Sequence, residues 1–318
     1  MPVAELIPLG TASAIPTRER HLSAFALRRD GRLLLFDCGE GTQYRLRDAG
    51  LSRAKLDAIF LTHFHGDHLY GLIGLLSTLA LLERTAPLTI VSPTGLCEML
   101  RALPGLAPDA HPFELRFVEL NEGFGHAVVY ETDAYTVEAR PLDHRVFAAG
   151  YRYQEKARPG KIDGEGARAA GIREGWQYET LRRGEPVTLA DGRVVRPEGL
   201  VGPARPGASF AYVLDTRPCR GGEKLAAGVD LLVHEATFTE AHRDRAYETG
   251  HSTAQQAATV ARKAAAKRLL LTHFSSRYGE LAPLVEEARG VFPHAEAAAE
   301  LRAYTLTEAV SAAPSMPA

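Results

Sequence analysis

The stretch "FLTHFHGDHLYG", residues 60–71, places three histidines and one aspartate within six consecutive positions. The apolar run "LDAIF" leads into it and is typical of a buried strand. On an extended turn after that strand, His63 and His65 would point to one side, while Asp67 and His68 would face a second position nearby. Imidazole and carboxylate groups are ligands of zinc. Without a cation the carboxylate would be costly to bury, so the motif predicts a metal site.

Composition limits the classes of protein to which the chain can belong. The 318 residues are 45% hydrophobic, which suits one large domain or two small ones with a sizeable core. A formal charge of −2 excludes a uniformly basic nucleic-acid-binding protein, so contact with an anionic polymer requires a local basic patch. Three cysteines without CxxC spacing indicate neither a disulfide framework nor a thiolate zinc site. With no signal-peptide pattern and no apolar run long enough to span a bilayer, we expect a soluble cytoplasmic protein.

Three similar segments predict buried strands: "LDAIFLTHF" (56–64), "VDLLVHEATF" (229–238) and "AKRLLLTHF" (266–274). Each ends in a polar group with a histidine, which indicates strands that deliver side chains to a common sheet edge. Near the N-terminus, "AELIPLG", "AFALRR" and "RLLLFDCG" have the pattern of an antiparallel meander. Helical patterns include "GDHLYGLIGLLSTLALLE" and "STAQQAATVARKAAA", the second with Ser252 as its capping residue. We therefore predict an α/β fold, a four-layer αββα sandwich with two similar halves.

Four ligands in one short motif do not complete two metal sites, so further ligands are expected at other strand ends. His144 follows the alternating segment "YTVEA", Asp215 ends the apolar run "SFAYVL", and His273 ends "LLLT". Each of them alone would more often be a surface or capping residue than a metal ligand. Together with the first motif they complete a two-metal set with one bridging carboxylate.

This order of residues, HxHxDH followed by a distant His, an Asp and a final His, resembles the metallo-β-lactamase fold. Within that fold the chain resembles the ribonuclease Z family, endonucleases that trim tRNA 3′ ends. The resemblance covers nearly the whole chain in the family's order of segments: "LGTASAIPTRERHLSAFAL", "LLFDCGEGTQYRL", "FLTHFHGDHLYGLIGLL", "PLTIVSPTGL", "LLVHEATF", "GHSTAQQAA" and "LLLTHFSSRY". HxHxDH alone indicates only the superfamily, and the HEAT and HST segments narrow the match.

The resemblance implies two zinc ions per chain and a set of catalytic residues. One ion would be held by His63, His65 and His144, the other by Asp67, His68 and His273, with Asp215 as a bridge. Asp67 would also accept a proton from the attacking water. His251 of "HST", paired with Glu235 of "HEAT", would lie near the scissile phosphate and protonate the leaving 3′-oxygen.

One loop departs from the family pattern. The family often has "PTxxRN" near the N-terminus, where this chain has "PTRERH". His21 therefore stands where the family has an asparagine, in a loop that the resemblance implies contacts the end of the tRNA. The resemblance does not carry over that contact, or the position of cleavage, at this residue.

The segment from Tyr151 to Ser209 is rich in Gly and Pro and shows little apolar periodicity. Between positions 156 and 184 it carries seven basic and four acidic residues, a net charge of +3. It resembles the family's flexible tRNA-binding arm, although Gly175-Trp176 stands where family arms usually have Gly-Pro, and Trp176 either stacks on RNA or anchors the arm. Without the resemblance, a solvated surface loop would be the preferred interpretation. Candidate contacts to tRNA phosphates are basic side chains: Lys161, Arg173, Arg182, Arg183 and, outside the segment, Arg277.

We expect a catalytic domain over residues 1–310, an inserted basic arm at 151–208 and a disordered tail at 311–318. The preferred function is zinc-dependent cleavage at the 3′ side of precursor tRNA, leaving a 3′-hydroxyl, by a homodimer that does not bind membranes. The alternative is a small-substrate hydrolase on the same fold, a cyclic-nucleotide phosphodiesterase or an arylsulfatase, which would not require the arm. A non-catalytic metal protein is disfavoured, because a structural zinc site is closed and needs neither an acid nor a base.

Overall fold

The computed structural model of the protein describes residues 3–307, so the tail predicted at 311–318 lies outside the described residues. These residues form sixteen β-strands: β1 (Glu5–Gly10), β2 (Ala24–Arg29), β3 (Arg32–Phe36), β4 (Leu56–Phe60), β5 (Leu88–Pro93), β6 (Leu115–Leu120), β7 (Ala127–Glu131), β8 (Tyr135–Pro141), β9 (Ala149–Glu155), β10 (Val187–Thr188), β11 (Val194–Val195), β12 (Ser209–Val213), β13 (Leu231–Glu235), β14 (Leu269–Thr272), β15 (Ala295–Ala297) and β16 (Tyr304–Thr305).

The same part of the chain contains ten α-helices: α1 (Thr42–Asp48), α2 (Gly66–Leu69), α3 (Gly71–Leu81), α4 (Leu96–Arg101), α5 (Gly164–Ala169), α6 (Gly175–Arg182), α7 (Arg220–Ala226), α8 (Arg243–Thr249), α9 (Ala254–Lys263) and α10 (Ala282–Arg289). None of these helices has both the length and the apolar character needed to span a bilayer.

Two seven-stranded sheets contain most strands of the described chain. The first has the order β16-β1-β2-β3-β4-β5-β6 and the second the order β15-β14-β13-β12-β9-β8-β7. In the first sheet β1 to β3 are antiparallel, which confirms the predicted meander, and β3 to β6 are parallel. In the second sheet β12 to β15 are parallel. Parallel neighbours direct their carboxyl ends to the same edge, which is where polar side chains gather in such sheets.

The two sheets face each other through aromatic side chains. Phe36 and Phe60 of the first sheet stack at a centroid distance of 4.9 Å, and Phe36 meets Phe210 of the second sheet edge to face at 5.0 Å. Helices cover the outer side of each sheet over an apolar cluster, with Leu72 on α3 and Ala257 on α9 among the buried residues. This arrangement confirms the predicted α/β fold with four αββα layers.

The prediction that the histidine-bearing strands share one sheet edge is wrong. β4 belongs to the first sheet, whereas β13 and β14 belong to the second. Apolar runs indicate that a strand is buried, but they contain no information about which strands lie beside it.

Two helices differ from their predicted form. The helical segment after the histidine motif divides at Tyr70 into α2 and α3. The second helix is capped by Thr253, which forms a reciprocal capping box with Gln256, and not by Ser252. Ser252 is buried and its hydroxyl donates to the Thr216 carbonyl at 2.6 Å, so a tertiary contact determines which residue caps the helix.

The chain divides into two compact units, the smaller comprising Thr132–Tyr135 and Gln154–Gly207. This smaller unit contains α5, α6 and the hairpin of β10 and β11. Its sequence shows little apolar periodicity, yet it has a small core of its own, formed by Ala167, Ile172, Leu181, Val187 and Val195. Asp163 caps α5 by accepting hydrogen bonds from the Glu165 and Gly166 N–H groups.

Candidate metal centre

The predicted ligands all follow strands of the two large sheets. His63 and His65 lie in the turn after β4, and Asp67 and His68 lie on the short helix α2. The remaining three come from the second sheet: His144 after β8, Asp215 after β12 and His273 after β14. The two sheets thus contribute separate halves of one cluster.

Their side chains form two groups of potential ligand atoms. His63, His65, His144 and Asp215 offer one atom each, all within 4.8 Å of one another, and Asp67, His68 and His273 do the same. The carboxylate of Asp215 lies between the groups. Its Oδ1 is 3.3 Å from His68 Nε2 and 3.1 Å from His273 Nε2, while its Oδ2 is 3.6 Å from His63 Nε2 and 3.8 Å from His144 Nε2.

The donor set fits a pair of metal ions. Within the described chain, His144 Nε2 and Asp215 Oδ1 are buried without a hydrogen-bond partner. His68 Nε2 and His273 Nε2 face each other at 3.3 Å, although two neutral imidazoles cannot both donate in that contact. Buried acceptor atoms that converge in this way are costly unless a cation lies among them. Six imidazole and carboxylate side chains around one shared carboxylate satisfy that requirement for two ions of the zinc type.

Hydrogen bonds at Nδ1 orient four of the histidines. His63 Nδ1 contacts Thr62 Oγ1 at 2.9 Å, His68 Nδ1 contacts Asp37 Oδ2 at 2.8 Å, His144 Nδ1 contacts the Gly250 carbonyl at 2.7 Å and His273 Nδ1 contacts Thr237 Oγ1 at 2.9 Å. Such bonds fix the ring and leave Nε2 to face the cluster, as is usual for metal-binding histidines.

Sequence reasoning missed Asp37 and Thr237. Asp37 is fully buried and also accepts hydrogen bonds from Thr62 N–H at 2.8 Å and the Tyr212 hydroxyl at 3.1 Å. An aspartate directly after the apolar run "LLLF" was a signal that could have identified it. Thr237 lies two residues after Glu235, and nothing in its local sequence distinguishes it from an ordinary surface threonine.

Three residues of the cluster hold a left-handed backbone conformation that is unfavourable for residues other than glycine. The φ angles are 56° for Asp37, 46° for Asp215 and 58° for His273. All three stand at the carboxyl end of a strand, where this conformation turns the chain sharply. Backbone strain of this kind, which costs about 1–3 kcal/mol per residue, is concentrated at functional sites.

The electrostatics keep the carboxylates of the cluster ionised. Burial acts to raise the pKa of Asp67, but the charges of His68 and His273 and their hydrogen bonds outweigh it and lower that pKa. Burial opposes ionisation of Asp215 as well, and its imidazole neighbours hold its pKa well below the ordinary value. Burial, reinforced by His68, holds the pKa of His63 well below 6.5, so this ring is neutral and able to act as a ligand.

A second buried carboxylate, Glu235, orients His251. His251 Nδ1 lies 3.0 Å from Glu235 Oε1 and 4.0 Å from Asp215 Oδ2. Glu235 is held in turn by the Thr216 N–H at 2.7 Å and the Ser252 N–H at 3.0 Å. Burial lowers the pKa of His251, but the charge and hydrogen bond of Glu235 outweigh it and raise that pKa to about 9. His251 is therefore placed to donate a proton.

The loop with the unusual histidine lies beside the candidate metal ligands. The Ala14 N–H donates to Asp67 Oδ2 at 2.8 Å, so the loop contacts the proposed proton acceptor. His21 Nδ1 lies 2.9 Å from Glu300 Oε2, and Glu300 also receives the His21 N–H at 2.8 Å and Arg45 Nη2 at 3.0 Å. Glu300 lies in the alanine-rich stretch "AEAAAEL". The sequence analysis missed it because nothing in that stretch indicates a contact with His21.

The candidate tRNA-binding side chains do not converge as the metal ligands do. Lys161, Arg173, Arg182 and Arg183 are all exposed. Arg182 pairs with Glu179 at 2.6 Å and Arg183 with Glu185 at 3.5 Å, while Arg173 donates to the Ile172 carbonyl. Trp176 is 60% exposed on α6. Arg277 is in the larger unit, where its guanidinium lies over the Phe238 ring at 5.1 Å.

Five of the seven candidate metal ligands line a cavity of about 520 Å³ that is open to solvent. His65, Asp67, His144, Asp215, His251 and His273 all border it. The exposed side chains of Tyr70 and Arg145 stand at the same cavity. The arrangement combines ionised carboxylates, a histidine placed to donate a proton and open space, which is what hydrolysis of a phosphate ester requires.

Comparisons with known proteins agree with this geometry. The family model of the anti-Pycsar protein Apyc1 matches residues 4–107, and that of the beta-lactamase superfamily domain matches residues 182–274. Ribonuclease Z of Salinibacter ruber is 59% identical over 95% of this chain and 94% of its own length, and ribonuclease Z of a Cyanothece species is 43% identical over 94% of each. The crystal structure of the short form of human tRNase Z aligns with a TM-score of 0.69 and 28% identity, covering 96% of this chain and all of that one.

Sequence identity of this extent along nearly the whole chain, together with the shared fold, establishes to which family the protein belongs. The chain belongs to the ribonuclease Z family.

Proposed function

We propose that the chain removes the 3′ trailer from tRNA precursors with two zinc ions. As a member of the ribonuclease Z family it is an endoribonuclease, a hydrolase that acts in tRNA 3′ processing. The observation that carries the two-ion proposal is Asp215, whose two oxygens face two separate groups of imidazoles. The family relationship favours precursor tRNA over the small phosphodiesters or sulfate esters of the alternative hypothesis.

Seven side chains would hold the two ions. The first ion would be bound by His63, His65 and His144, the second by Asp67, His68 and His273, with Asp215 between them. When bound, the ions would draw electron density from the scissile phosphate and from the attacking water. The majority of imidazole ligands favours zinc over magnesium or calcium.

Asp67 would take the proton of the attacking water. Its Oδ2 is held by the Ala14 N–H at 2.8 Å and lies 3.4 Å from His68 Nε2. Because its neighbours lower its pKa, Asp67 is ionised when the reaction begins. The backbone contact fixes the carboxylate at the border of the cavity.

His251 would supply the proton to the leaving oxygen. Cleavage that leaves a 3′-hydroxyl on the tRNA expels the ribose 3′-oxygen, which needs a proton as its bond to phosphorus breaks. Glu235 holds His251 at 3.0 Å and favours its protonated form. Glu235 is fully buried and acts by positioning His251.

The exposed cations of the smaller unit would bind the phosphates of the tRNA body. Lys161, Arg173, Arg182 and Arg183 extend into solvent, and their surroundings carry the net positive charge noted above. Arg277, exposed in the larger unit, is the fifth candidate. These contacts would raise affinity without reading sequence.

We also propose that the protein is a cytoplasmic homodimer. The support is the resemblance of the smaller unit to the family arm, which grips tRNA bound at the partner's site. The cysteines Cys38, Cys97 and Cys219 are unpaired with one another, as expected in a reducing compartment. Sedimentation equilibrium measures the assembly, and a monomer at micromolar concentration would contradict the dimer.

The direct test is cleavage of a 3′-extended precursor tRNA with both product ends mapped. We expect one cut near the end of the acceptor stem, a 3′-hydroxyl on the tRNA and a 5′-phosphate on the trailer. The matched controls are the Asp67→Ala variant and a linear RNA that carries the same trailer without the tRNA body. Hydrolysis of a nitrophenyl phosphodiester without cleavage of the precursor would support the small-substrate hypothesis instead.

A further inference from the structure

The β1–β2 loop, residues 11–23, borders the cavity of the candidate metal centre. Ser13, Ala14 and Pro16 line that cavity, and the Ala14 N–H donates to Asp67 Oδ2 at 2.8 Å. Ala14 and Pro16 are exposed, so packing does little to hold them in place. The position of the Asp67 carboxylate therefore depends on the contacts that hold the loop.

Ala14 has a backbone conformation that is unfavourable for residues other than glycine. Its φ angle is 56°, in the left-handed region. Such a conformation persists only where the surrounding contacts impose it. Because the N–H of this residue is the donor to Asp67, the contacts that impose the conformation also place the donor.

The carboxylate of Glu300 bonds to both ends of the β1–β2 loop. At the start of the loop, Glu300 Oε1 accepts the Thr11 N–H at 3.1 Å and the Thr11 hydroxyl at 3.2 Å. At the end of the loop, the same oxygen accepts the His21 N–H at 2.8 Å, and Glu300 Oε2 lies 2.9 Å from His21 Nδ1. Both ends are thereby held at one carboxylate, which limits the conformations open to the residues between them.

Glu300 is itself fixed against the first sheet. Its side chain is 9% exposed, and its Oε2 also accepts a hydrogen bond from Arg45 Nη2 at 3.0 Å. The N–H of the next residue, Leu301, donates to the Pro8 carbonyl of β1 at 2.8 Å. Hydrogen bonds to an ionised carboxylate are stronger than those between neutral groups. Glu300 is therefore a rigid point of attachment for the loop.

We propose that Glu300 is a positioning residue for the hydrolytic reaction, which joins the two ends of the β1–β2 loop and so keeps the Ala14 N–H on the carboxylate of Asp67. The inference rests on the proposed function, in which Asp67 takes the proton of the attacking water. Within the described chain, the hydrogen-bond partners of Glu300 include no candidate metal ligand, so Glu300 acts through the loop.

Two substitutions at one position test the proposal. Glu300→Ala removes every acceptor, whereas Glu300→Gln keeps a side-chain oxygen for the donors of Thr11 and His21 and removes the charge that pairs with Arg45. Each zinc-loaded variant is compared with the wild type by hydrogen exchange within the β1–β2 loop and by kcat and KM for a nitrophenyl phosphodiester. The control is Glu296→Ala, the same change at a carboxylate of β15 that has an arginine partner at 3.2 Å.

For Glu300→Ala we expect roughly tenfold faster hydrogen exchange within the β1–β2 loop, because its ends are no longer joined. The kcat for the phosphodiester should fall by roughly 10–100-fold, the range for removing a group that orients a metal ligand, with KM little changed. Glu300→Gln should keep most of the wild-type protection and kcat, since the loop donors still have an acceptor. Glu296→Ala should match the wild type in both measurements.

Two results for Glu300→Ala would overturn the proposal: unchanged exchange within the β1–β2 loop, or a wild-type kcat despite faster exchange there. Equal losses in Glu300→Ala and Glu300→Gln would also overturn it, because they would assign the effect to the ion pair with Arg45.

Thermal melting and metal content establish whether Glu300→Ala is folded. If it is not, His21→Ala takes its place, since it removes the partly exposed ring at one end of the loop, and unchanged exchange within the loop would then contradict the proposal. A wild type that hydrolyses neither the phosphodiester nor precursor tRNA contradicts the proposed function. Unchanged loop exchange with an active wild type contradicts only this inference.

Discussion

The candidate metal centre and the smaller unit hold their charged side chains in opposite ways. At the metal centre Asp37, Asp215 and Glu235 are almost fully buried, and each contacts residues far away in the sequence. In the smaller unit most charged residues are exposed, with the buried Glu155 as an exception, and several pair with near neighbours, such as Arg193 with Asp191 at 2.8 Å. Exposed pairs of this kind contribute little to the free energy of unfolding, whereas a buried charge that loses its partner destabilises the fold strongly.

This contrast predicts which positions tolerate amino-acid substitution. A buried carboxylate is held by several donors at once, so its removal disturbs every group that it orients. An exposed cation can be replaced with little effect on folding, because water then solvates the carboxylate with which it was paired. We therefore expect substitutions at the metal centre to act on the reaction and substitutions in the smaller unit to act on tRNA affinity.

The largest effect is expected for Asp215→Ala. This change removes the carboxylate that faces both groups of imidazoles, so the metal content should fall from two equivalents per chain to one or none and cleavage should fall to background. The matched control is Asp191→Ala, the same change at an exposed aspartate of the smaller unit, which should keep both metals. Elemental analysis and precursor cleavage measure the two quantities. Two retained equivalents in Asp215→Ala would contradict the bridging role.

The next largest effect is expected for His251→Ala, which should slow precursor cleavage by roughly 10²–10⁴-fold, the range for general acid–base groups. A nitrophenyl phosphodiester should lose much less, because its leaving group needs little protonation. His126→Ala is the matched control, since His126 pairs with Glu138 at 3.0 Å on the surface. Equal losses on both substrates would show that His251 positions the substrate and does not donate the proton.

A smaller effect on activity, but a clear one on local stability, is expected when a core leucine of the smaller unit is truncated. Leu181→Ala should destabilise that unit by about 2–5 kcal/mol and increase hydrogen exchange within 154–207, because its core is small. The metal content should stay at two equivalents. Leu271→Ala, the same change at a fully buried position of β14, should instead lower the melting temperature and the metal content together. Loss of metal from Leu181→Ala would contradict the expectation that changes in the smaller unit leave the metal ligands undisturbed.

The smallest effect is expected for the double variant Arg182→Ala and Arg183→Ala. Losing two phosphate contacts should raise the KM for precursor tRNA a few-fold and reduce the steepness of its salt dependence by about 2, close to one per contact. The control is Arg116→Ala, a 56% exposed arginine of β6 paired with Glu114. An unchanged salt dependence would mean that these two arginines do not contact tRNA.

The sequence by itself determined the strands, the fold and the family. Apolar runs that end in histidine or aspartate identified β4, β12, β13 and β14, and the confirmed αββα fold follows from their alternation with helices. HxHxDH was visible because its groups are adjacent in the chain. The roles assigned to its residues and to His144, Asp215 and His273 stay predictions, although the structure brings all seven side chains together.

The tertiary structure alone decided which groups hold those side chains, and the histidine of the neighbouring loop, in place. Asp37 lies 31 positions from His68, Thr237 lies 36 positions from His273, and Glu300 lies 279 positions from His21. It also decided that β4 and β14 lie in different sheets and that Thr253, not Ser252, caps α9. The local sequence shows the hydrophobic periodicity and the polarity of a single helix or strand. Each of these contacts instead joins two elements that only folding brings within hydrogen-bonding distance.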